Sequence, residues 1–308
     1  MKLYPRFLLT LLTIAGAVAL FAACGGDDDA APTKAAGATT PATSAATAAP
    51  KATFAADSTM GKIVANKKLT VGVKFDQPGF GLKDPVSGKV DGFDIAIAKE
   101  IGKALGLTED QIVFVESVSA NRIPFLAEDK VDLIVATMTI NADRKTQIEF
   151  SRPYYLAGQS ILVKKENTTI TKVDDLNGKK VCSVQGSTSE KNVVAKAPTA
   201  DLQSLTTYAA CVSGLKDGRY EAVSTDDIIL AGFAATDTSL KLVGGQFTQE
   251  PYGIGMKKGK TDMQAYVDGL LTKWYADGTW DKIYTNYLGR VEGLPKPADA
   301  RAKIPATN

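Results

Sequence analysis

Residues 131–144 read VDLIVATMTINADR, and their first six positions form an almost unbroken apolar run. A short run of this kind, bounded by polar residues, is typical of a strand buried on both faces of a parallel sheet. Two strands are predicted before it, at 68–73 and 112–115, with a helix over 95–105 between them. This alternation of strands and helices predicts α/β packing around a largely parallel sheet.

A second series of the same kind follows the first. Strands are predicted at 180–184 and 222–227, and helices at 228–233 and 262–276. A chain of 308 residues, 44% hydrophobic and 23% charged, is long enough for two globular cores and has an ordinary soluble composition. We therefore expect two α/β lobes.

Charge and composition exclude several function classes. The chain contains no histidine, which removes Ser–His and Cys–His catalysis and histidine-based metal sites. Its formal net charge is +2, and residues 1–23 carry two of the lysines and arginines, so the rest is balanced at 34 basic and 34 acidic residues. A balanced chain argues against nucleic acid as a partner. No metal or organic cofactor is predicted.

The N-terminal segment has the pattern of an export signal. Residues 1–23 combine two early positive charges with an apolar stretch that is short for a membrane span, and small residues precede Cys24. This ending resembles a bacterial lipobox, which implies that Cys24 is acylated, although Phe21 stands where leucine is usual. The alternative is an ordinary cleavable signal with an incidental cysteine.

The segments at the two ends of the folded part are predicted to be loosely ordered. Residues 24–57 are mostly Ala and Thr with three prolines, a composition typical of a disordered tether. The folded part begins near Met60. The tail, 291–308, is rich in proline and charge and is expected to be loosely held.

Six segments, in this order, carry a resemblance to a known family. They are VGVKFDQPGFG (71–81), DGFDIAIAKEIGKALG (91–106), SANRIPFLAEDKVDLIVATMTINADRKTQIEFSRPYY (119–155), VCSVQGST (181–188), STDDIILAG (224–232) and EPYGIG (250–255). Together they resemble the family 3 solute-binding proteins of polar amino-acid ABC importers, and most closely the glutamate-binding branch. The resemblance implies a type II periplasmic-binding-protein fold, in which 60–155 and 250–290 form one lobe, 156–249 form the other, and ligand binds in the cleft between them.

A free amino acid brings a carboxylate and an ammonium group, and a site that removes both from water has to pair both. Arg144 suits the carboxylate because a guanidinium can bind it through two hydrogen bonds. Without the resemblance, Arg144 would be interpreted as a surface charge. The resemblance implies that it binds the α-carboxylate with Thr139 beside it. In the second series, Gly186, Ser187 and Thr188 open a helix whose free N–H groups suit an anion, although these residues would also serve as an ordinary N-cap.

The ammonium group needs an acceptor. Asp226, at a strand end, and Asp227 beside it are equally plausible on chemistry alone, although Asp227 would have only a structural role as a helix N-cap. The resemblance favours Asp226. Thr137 is expected to assist through its carbonyl and hydroxyl. Phe80 and Tyr252 are candidates for an apolar wall of the site, with core packing as the alternative for each.

Substrate choice depends on Lys74 and Arg122. Lys74 directly follows the first strand, where ligand residues of open α/β sheets tend to lie. Arg122, which closely follows Ser119, falls at the start of a short helix that, as the resemblance implies, lines the cleft. Two further cations resemble the glutamate and aspartate binders and predict an acidic ligand. The alternative is that one of them pairs with a nearby carboxylate of Glu116, Asp76 or Asp143.

Two cysteines remain, Cys182 and Cys211. An even count in an exported chain favours a disulfide between them within the second lobe, and the alternative is two buried thiols.

The sequence thus predicts a monomeric clamp that captures glutamate or aspartate by closure of its lobes and delivers it to a membrane permease. Glutamine is the alternative ligand. Two other classes stay open: an enzyme of the same fold acting on prephenate-like acids, and a sensory ectodomain, which would need a transmembrane helix that the residues after Leu288 do not provide.

Overall fold

The structure is a computed structural model that describes residues 53–289, 291 and 294–307. The expected signal peptide, Cys24 and the tether up to residue 52 lie outside the described residues. Over the described part, no helix is both long enough and apolar enough to cross a membrane.

The first lobe is built around a five-stranded sheet. Its elements, in chain order, are α1 (Thr59–Ala65), β1 (Leu69–Val73), β2 (Asp76–Gln77), β3 (Gly81–Lys83), β4 (Val90–Asp91), α2 (Phe93–Ala104), β5 (Ile112–Glu116), α3 (Arg122–Ala127), β6 (Leu133–Ile134), α4 (Ala142–Gln147), β7 (Ile148–Phe150) and β8 (Tyr155–Ala157). The strand order of the main sheet begins β5-β1-β6. Two more strands complete the sheet beyond β6: one comes from much later in the chain, and β7 forms the edge. Strands β2, β3 and β4 form a separate small sheet.

The second lobe follows. It comprises β9 (Gln159–Lys164), β10 (Lys180–Val184), α5 (Thr188–Lys196), β11 (Asp201–Leu205), α6 (Tyr208–Lys216), β12 (Ala222–Asp226), α7 (Asp227–Thr236) and β13 (Leu240–Val243), in a sheet of order β11-β10-β12-β9-β13. The structure contains the predicted disulfide, which joins Cys182 on β10 to Cys211 on α6.

The chain then returns to the first lobe. The returning elements are β14 (Glu250–Tyr252), β15 (Gly255–Lys257), α8 (Thr261–Asp277), α9 (Thr279–Tyr287) and α10 (Pro297–Ala302). Strand β15 lies between β6 and β7 and is antiparallel to both. Strands β8 and β14 pair with each other as an antiparallel two-stranded ribbon. This ribbon consists of the two chain segments that connect the lobes, and we refer to it as the hinge.

The expectation of two α/β lobes is confirmed, but neither sheet is wholly parallel. Strands β5, β1 and β6 run parallel, as do β11, β10 and β12, whereas β15, β9 and β13 are antiparallel to their neighbours. The antiparallel strands lie where the chain enters or leaves a lobe: β9 follows the first connecting segment, β13 precedes the second, and β15 follows the second.

The main core is one continuous cluster that includes residues of both lobes and of the hinge. Its centre is aromatic: the ring of Phe80, which is fully buried, lies 5.7 Å from the rings of Phe93 and Tyr155 and 6.0 Å from that of Tyr252. Such edge-on aromatic contacts fix the hinge strands against α2.

The C-terminal segment differs from the loose tail that was expected. Helix α10 starts with Pro297 in its first turn, a position at which proline favours helix formation. Arg301 binds both carboxylate oxygens of Asp281 at 2.9 and 3.2 Å and donates to the Tyr275 carbonyl at 3.0 Å. Pro297 therefore marks the start of a helix, and Arg301 forms an ion pair with Asp281.

Candidate ligand-binding cleft between the lobes

Loops at the carboxyl ends of four strands face one another between the lobes. Lys74 follows β1, Thr137 and Thr139 follow β6, Gly186 follows β10 and Asp226 ends β12. The edge formed by strand carboxyl ends is where open α/β sheets bind ligands.

The lobes touch across this cleft. The hydroxyls of Thr139 and Thr188 are 3.3 Å apart, and Arg144 Nη2 donates to the Gly186 carbonyl at 3.2 Å. Gly186 has a positive φ of 77°, and a Cβ at this position would lie 2.8 Å from Cα of Ala120 in the first lobe. Glycine is therefore required both for the turn and for this close approach.

Arg144 is held at the centre of the cleft in a fixed orientation. Asn141 caps α4 by accepting a hydrogen bond from the Arg144 backbone N–H at 2.9 Å, and Arg144 Nη1 donates to the Thr139 carbonyl at 2.7 Å. The side chain is 8% exposed, and burial lowers the pKa of its guanidinium. Within the described residues, no carboxylate lies at ion-pair distance from it.

Lys74 and Arg122 form a second buried cationic group around Ser119. Lys74 Nζ donates to Ser119 Oγ at 2.9 Å, and Arg122 Nε donates to the Ser119 carbonyl at 3.2 Å. Burial, with the charge of Arg122, lowers the pKa of Lys74 to about 7. Burial, with the charge of Arg144, lowers the pKa of Arg122 to about 9. Arg122 and Arg144 thus both make it harder for Lys74 to stay charged, and Arg144 does the same for Arg122.

The ion pairs considered as an alternative for these cations are not formed among the described residues. Asp76 instead accepts hydrogen bonds from the backbone N–H groups of Tyr208 and Ala209 in the second lobe, at 2.9 and 3.3 Å. Asp143 pairs with Lys191 at 3.7 Å. The positive charge of Lys74 and Arg122 is consequently left without a direct carboxylate partner.

Thr137 forms part of the frame of the site. It has a φ of 44°, which is unusual for a residue with a branched side chain. Its N–H donates to Asp94 at 2.9 Å, its hydroxyl donates to Gln77 Oε1 at 3.0 Å, and its carbonyl accepts from Arg122 at 3.2 Å. The carbonyl and hydroxyl expected to assist a ligand are therefore already used within the protein, although each oxygen retains a lone pair.

Asp94 and Gln77 were not among the predicted site residues. Asp94 is fully buried and also accepts from the Tyr154 hydroxyl at 2.7 Å, and burial raises its pKa to about 7. Gln77 is fully buried, and its Nε2 has no hydrogen-bond partner among the described residues. Their segments, FDQPG and DGFD, were recognised from sequence, but only as a turn and a helix start.

The structure distinguishes the two neighbouring aspartates. Asp227 accepts from the Gly158 N–H at 3.2 Å and from Gln246 Nε2 at 2.7 Å, so both of its oxygens are occupied. Asp226 is 3% exposed and accepts at Oδ2 from the Tyr252 hydroxyl at 2.6 Å, whereas its Oδ1 has no partner in the described chain. Burial, with the charge of Glu250, raises the pKa of Asp226 well above its usual range.

The helix start in the second lobe offers fewer free donors than expected. Gly186 N–H donates to the Glu190 carboxylate at 2.9 Å, Ser187 N–H donates to the Val184 carbonyl at 3.1 Å, and Ser187 Oγ caps α5 by accepting from Glu190 N–H at 2.9 Å. The N-capping alternative therefore describes Ser187, whereas Gly186 and Thr188 are the members of this group that contact the opposite lobe.

The two predicted wall residues lie in different settings. Phe80 is fully buried within the aromatic core, as its alternative described. Tyr252 is also fully buried, but its hydroxyl reaches Asp226, so its polar end belongs to the site.

A cavity of about 340 Å³ opens between the lobes beside Arg144. The first lobe lines it with Ser119 and Met138, among others, and the second with Gly186, Thr188 and Lys191. Over the described residues, no cluster of three or more histidine, cysteine, aspartate or glutamate side chains could hold a metal ion.

Comparison with known proteins identifies the family. The model of the bacterial extracellular solute-binding proteins, family 3, matches residues 69–290. The ABC transporter glutamine-binding protein GlnH of Bacillus subtilis is 43% identical over 231 residues, which are 75% of this chain and 84% of that protein. The glutamate-binding protein GluB of Corynebacterium glutamicum is 35% identical over 237 residues, which are 73% of this chain and 80% of that protein.

A solved structure supports the same family assignment. An ancestral arginine-binding protein bound to glutamine superposes with a TM-score of 0.69 at 38% identity, covering 73% of this chain and 99% of that one. The resemblance seen in the sequence is confirmed: the chain belongs to the family 3 bacterial extracellular solute-binding proteins.

Proposed function

We propose that this protein is the substrate-binding component of an ABC-type importer and that it captures an acidic amino acid, glutamate or aspartate. The supporting observation is the charge of the cleft. Lys74, Arg122 and Arg144 are each at most 8% exposed, and none has a carboxylate at ion-pair distance within the described chain. Unpaired buried charges are costly, so a ligand that brings two carboxylates stabilises this arrangement.

The polar groups suggest how the ligand is oriented. Arg144 binds the α-carboxylate, with Thr139 and Thr188 beside it. Asp226 binds the ammonium through Oδ1, the oxygen that has no protein partner in the described chain. Lys74 and Arg122, which share Ser119 as a hydrogen-bond partner, bind the side-chain carboxylate.

Glutamine is the alternative ligand, and the similarity to the glutamine-binding protein of B. subtilis favours it. A glutamine side chain carries no charge and would leave both Lys74 and Arg122 uncompensated. Because the pKa of Lys74 is about 7, however, this side chain can lose its proton near neutrality. A neutral Lys74 accepts a hydrogen bond from an amide, so glutamine competes best at high pH.

Capture proceeds by closure of the lobes. Arg144, Lys74 and Arg122 belong to the lobe assigned to 60–155 and 250–290, and Asp226 to the lobe assigned to 156–249. A ligand that binds both sets favours the closed arrangement, since only there does each of its charges meet a partner. The ribbon of β8 and β14 is the hinge, and a membrane permease receives ligand from the closed, monomeric protein. The role is binding without catalysis.

We further propose that the protein is exported by its signal peptide, 1–23, and held at the outer face of a membrane by acylation of Cys24, with 24–57 as the tether. Replacing Cys24 by serine tests this anchor. The variant should be released into the culture medium, while the wild type stays with the membrane fraction. Equal partition of the two proteins would contradict lipid anchoring.

Calorimetric titration of the refolded protein with glutamate, aspartate, glutamine, arginine and prephenate tests the function. Tight one-to-one binding of an acidic amino acid, lost in Arg144→Ala, is expected. Preference for glutamine or arginine would keep the importer role and overturn the acidic specificity. Consumption of prephenate would favour the enzyme alternative, and the absence of binding to every amino acid would refute the proposal.

A further inference from the structure

Glu250 is a second buried carboxylate near the cleft. It lies on the hinge strand β14 and is 3% exposed. Its Oε1 accepts from Asn192 Nδ2 at 3.0 Å and from Thr248 Oγ1 at 2.8 Å. Its Oε2 is buried and has no hydrogen-bond partner, and no lysine or arginine lies at ion-pair distance, among the described residues.

The neighbours of Glu250 place it at the inner end of the cleft. Glu250 and Tyr252 are two residues apart on one strand, so their side chains leave the same face. The Tyr252 hydroxyl from that face binds Asp226 at 2.6 Å. Asn192, which binds Glu250, lies one turn after Thr188 on α5, and Thr188 meets Thr139 across the cleft. Glu250 thus shares a strand face with the tyrosine that binds Asp226, and Asn192 joins it to α5.

The charges of the site are consistent with this position. The negative charge of Glu250 adds to burial in raising the pKa of Asp226, and it opposes the effect of burial on the pKa of Arg144. Two carboxylates that are buried side by side repel each other unless a cation or a proton lies between them. Each of these two retains one oxygen without a hydrogen-bond partner in the described chain.

An ammonium group supplies what the two oxygens lack, because it carries a positive charge and three N–H donors. We propose that Glu250 is a second acceptor for the ammonium group of the ligand, with Oε2 binding one N–H while Asp226 Oδ1 binds another. This inference rests on the proposed capture of an amino acid, and it places part of the ammonium subsite on the hinge itself. Ligand binding then ties the hinge strand to the second lobe.

The comparison of glutamate with glutarate tests this assignment, because glutarate has the same two carboxylates and no ammonium group. Glu250→Gln keeps the shape of the side chain and the acceptor for Asn192. We expect its Kd for glutamate to rise about ten- to a hundredfold, the usual weight of a charge-assisted hydrogen bond. Its Kd for glutarate, measured by displacement at millimolar concentration, should be unchanged or lower because a repulsive charge is removed.

Two further variants identify the cause of any loss. Asn192→Ala removes the hydrogen bond to Glu250 Oε1 and serves as the control for a purely structural role. It should weaken the binding of glutamate and of glutarate alike. Asp226→Asn should lower the preference for glutamate over glutarate, as Glu250→Gln does. An unchanged preference in Glu250→Gln, or an equal loss for both ligands with a lower melting temperature, would overturn the inference.

The design separates this inference from the proposed function. If the wild type binds no amino acid, the proposed function itself is refuted. If Asp226→Asn lowers the preference and Glu250→Gln does not, amino-acid capture stands and only the role of Glu250 is refuted. Should glutamine be the preferred ligand, the same comparison is made with 4-carbamoylbutanoate, which lacks the ammonium group.

Discussion

Replacing Lys74 by methionine tests the contribution of the positive charge that is proposed to bind the side-chain carboxylate of the ligand. Methionine has nearly the same length and fits a buried site, and Lys74 is 3% exposed with Ser119 as its one hydrogen-bond partner in the described chain. Arg122 is less suitable, because its guanidinium also donates to the carbonyls of Ala136 and Thr137, and its removal would leave them unpaired.

The expected magnitude follows from the contact that is lost. A hydrogen bond between charged groups contributes about 1.5–3 kcal/mol, which corresponds to a rise of about 12- to 150-fold in the Kd for glutamate. The amide of glutamine brings no negative charge to Lys74, so its Kd should rise less than the Kd for glutamate does. The ligand-free variant should be at least as stable as the wild type, because a buried charge without a carboxylate partner has been removed.

Isothermal titration at pH 6.5 with both amino acids measures the effect, since most Lys74 is then protonated. Lys83→Met serves as the matched control, because Lys83 is exposed on β3 and outside the cleft. An equal loss for glutamate and glutamine, or an unchanged Kd for glutamate, would refute the assignment of Lys74 to the side-chain carboxylate.

With the lobes in contact and no ligand, the pKa of Lys74 is about 7, and it rises when a carboxylate binds, so glutamate binding takes up protons above pH 7 and weakens as pH rises; titrations in buffers of different ionisation enthalpy from pH 6.5 to 8.5 measure this, and an unchanged Kd would contradict it. Removal of the disulfide by Cys182→Ala with Cys211→Ala should lower the free energy of unfolding by roughly 3–4 kcal/mol, given a sequence separation of 29 residues; urea titration checks it, and an unchanged midpoint would argue against the chain-entropy effect. Truncation after Gly289 removes the Arg301–Asp281 ion pair and the packing of α10, so calorimetry should show a melting temperature several degrees lower, whereas an unchanged value would mean that the segment is loosely held after all.

Much of the fold was predictable because hydrophobic pattern and strand position are local properties. The strand predicted at 180–184 has those limits in the structure, and the predicted helix over 262–276 is α8, longer by one residue at each end. The antiparallel strands β9 and β13 were not predicted. Their direction depends on where the chain crosses the hinge, which is a property of the whole topology.

The site was predicted less completely than the fold. Residues with a distinctive ligand chemistry, such as Arg144 and Asp226, could be named because a guanidinium or a carboxylate next to a strand end has few other uses. Asp94 and Gln77 escaped notice because their importance arises from contacts with Thr137, which lies more than 40 residues away in sequence. Glu250 was seen only as part of a motif, since its position beside Asp226 depends on the pairing of the hinge strands.

A crystal structure of the protein grown with glutamate tests the central claim most directly. We expect one glutamate in the cleft, with its α-carboxylate on Arg144, its ammonium on Asp226 and its side-chain carboxylate within hydrogen-bond distance of Lys74 or Arg122. A glutamate bound elsewhere, or bound in the cleft with no contact to Arg144 and Asp226, would contradict the account.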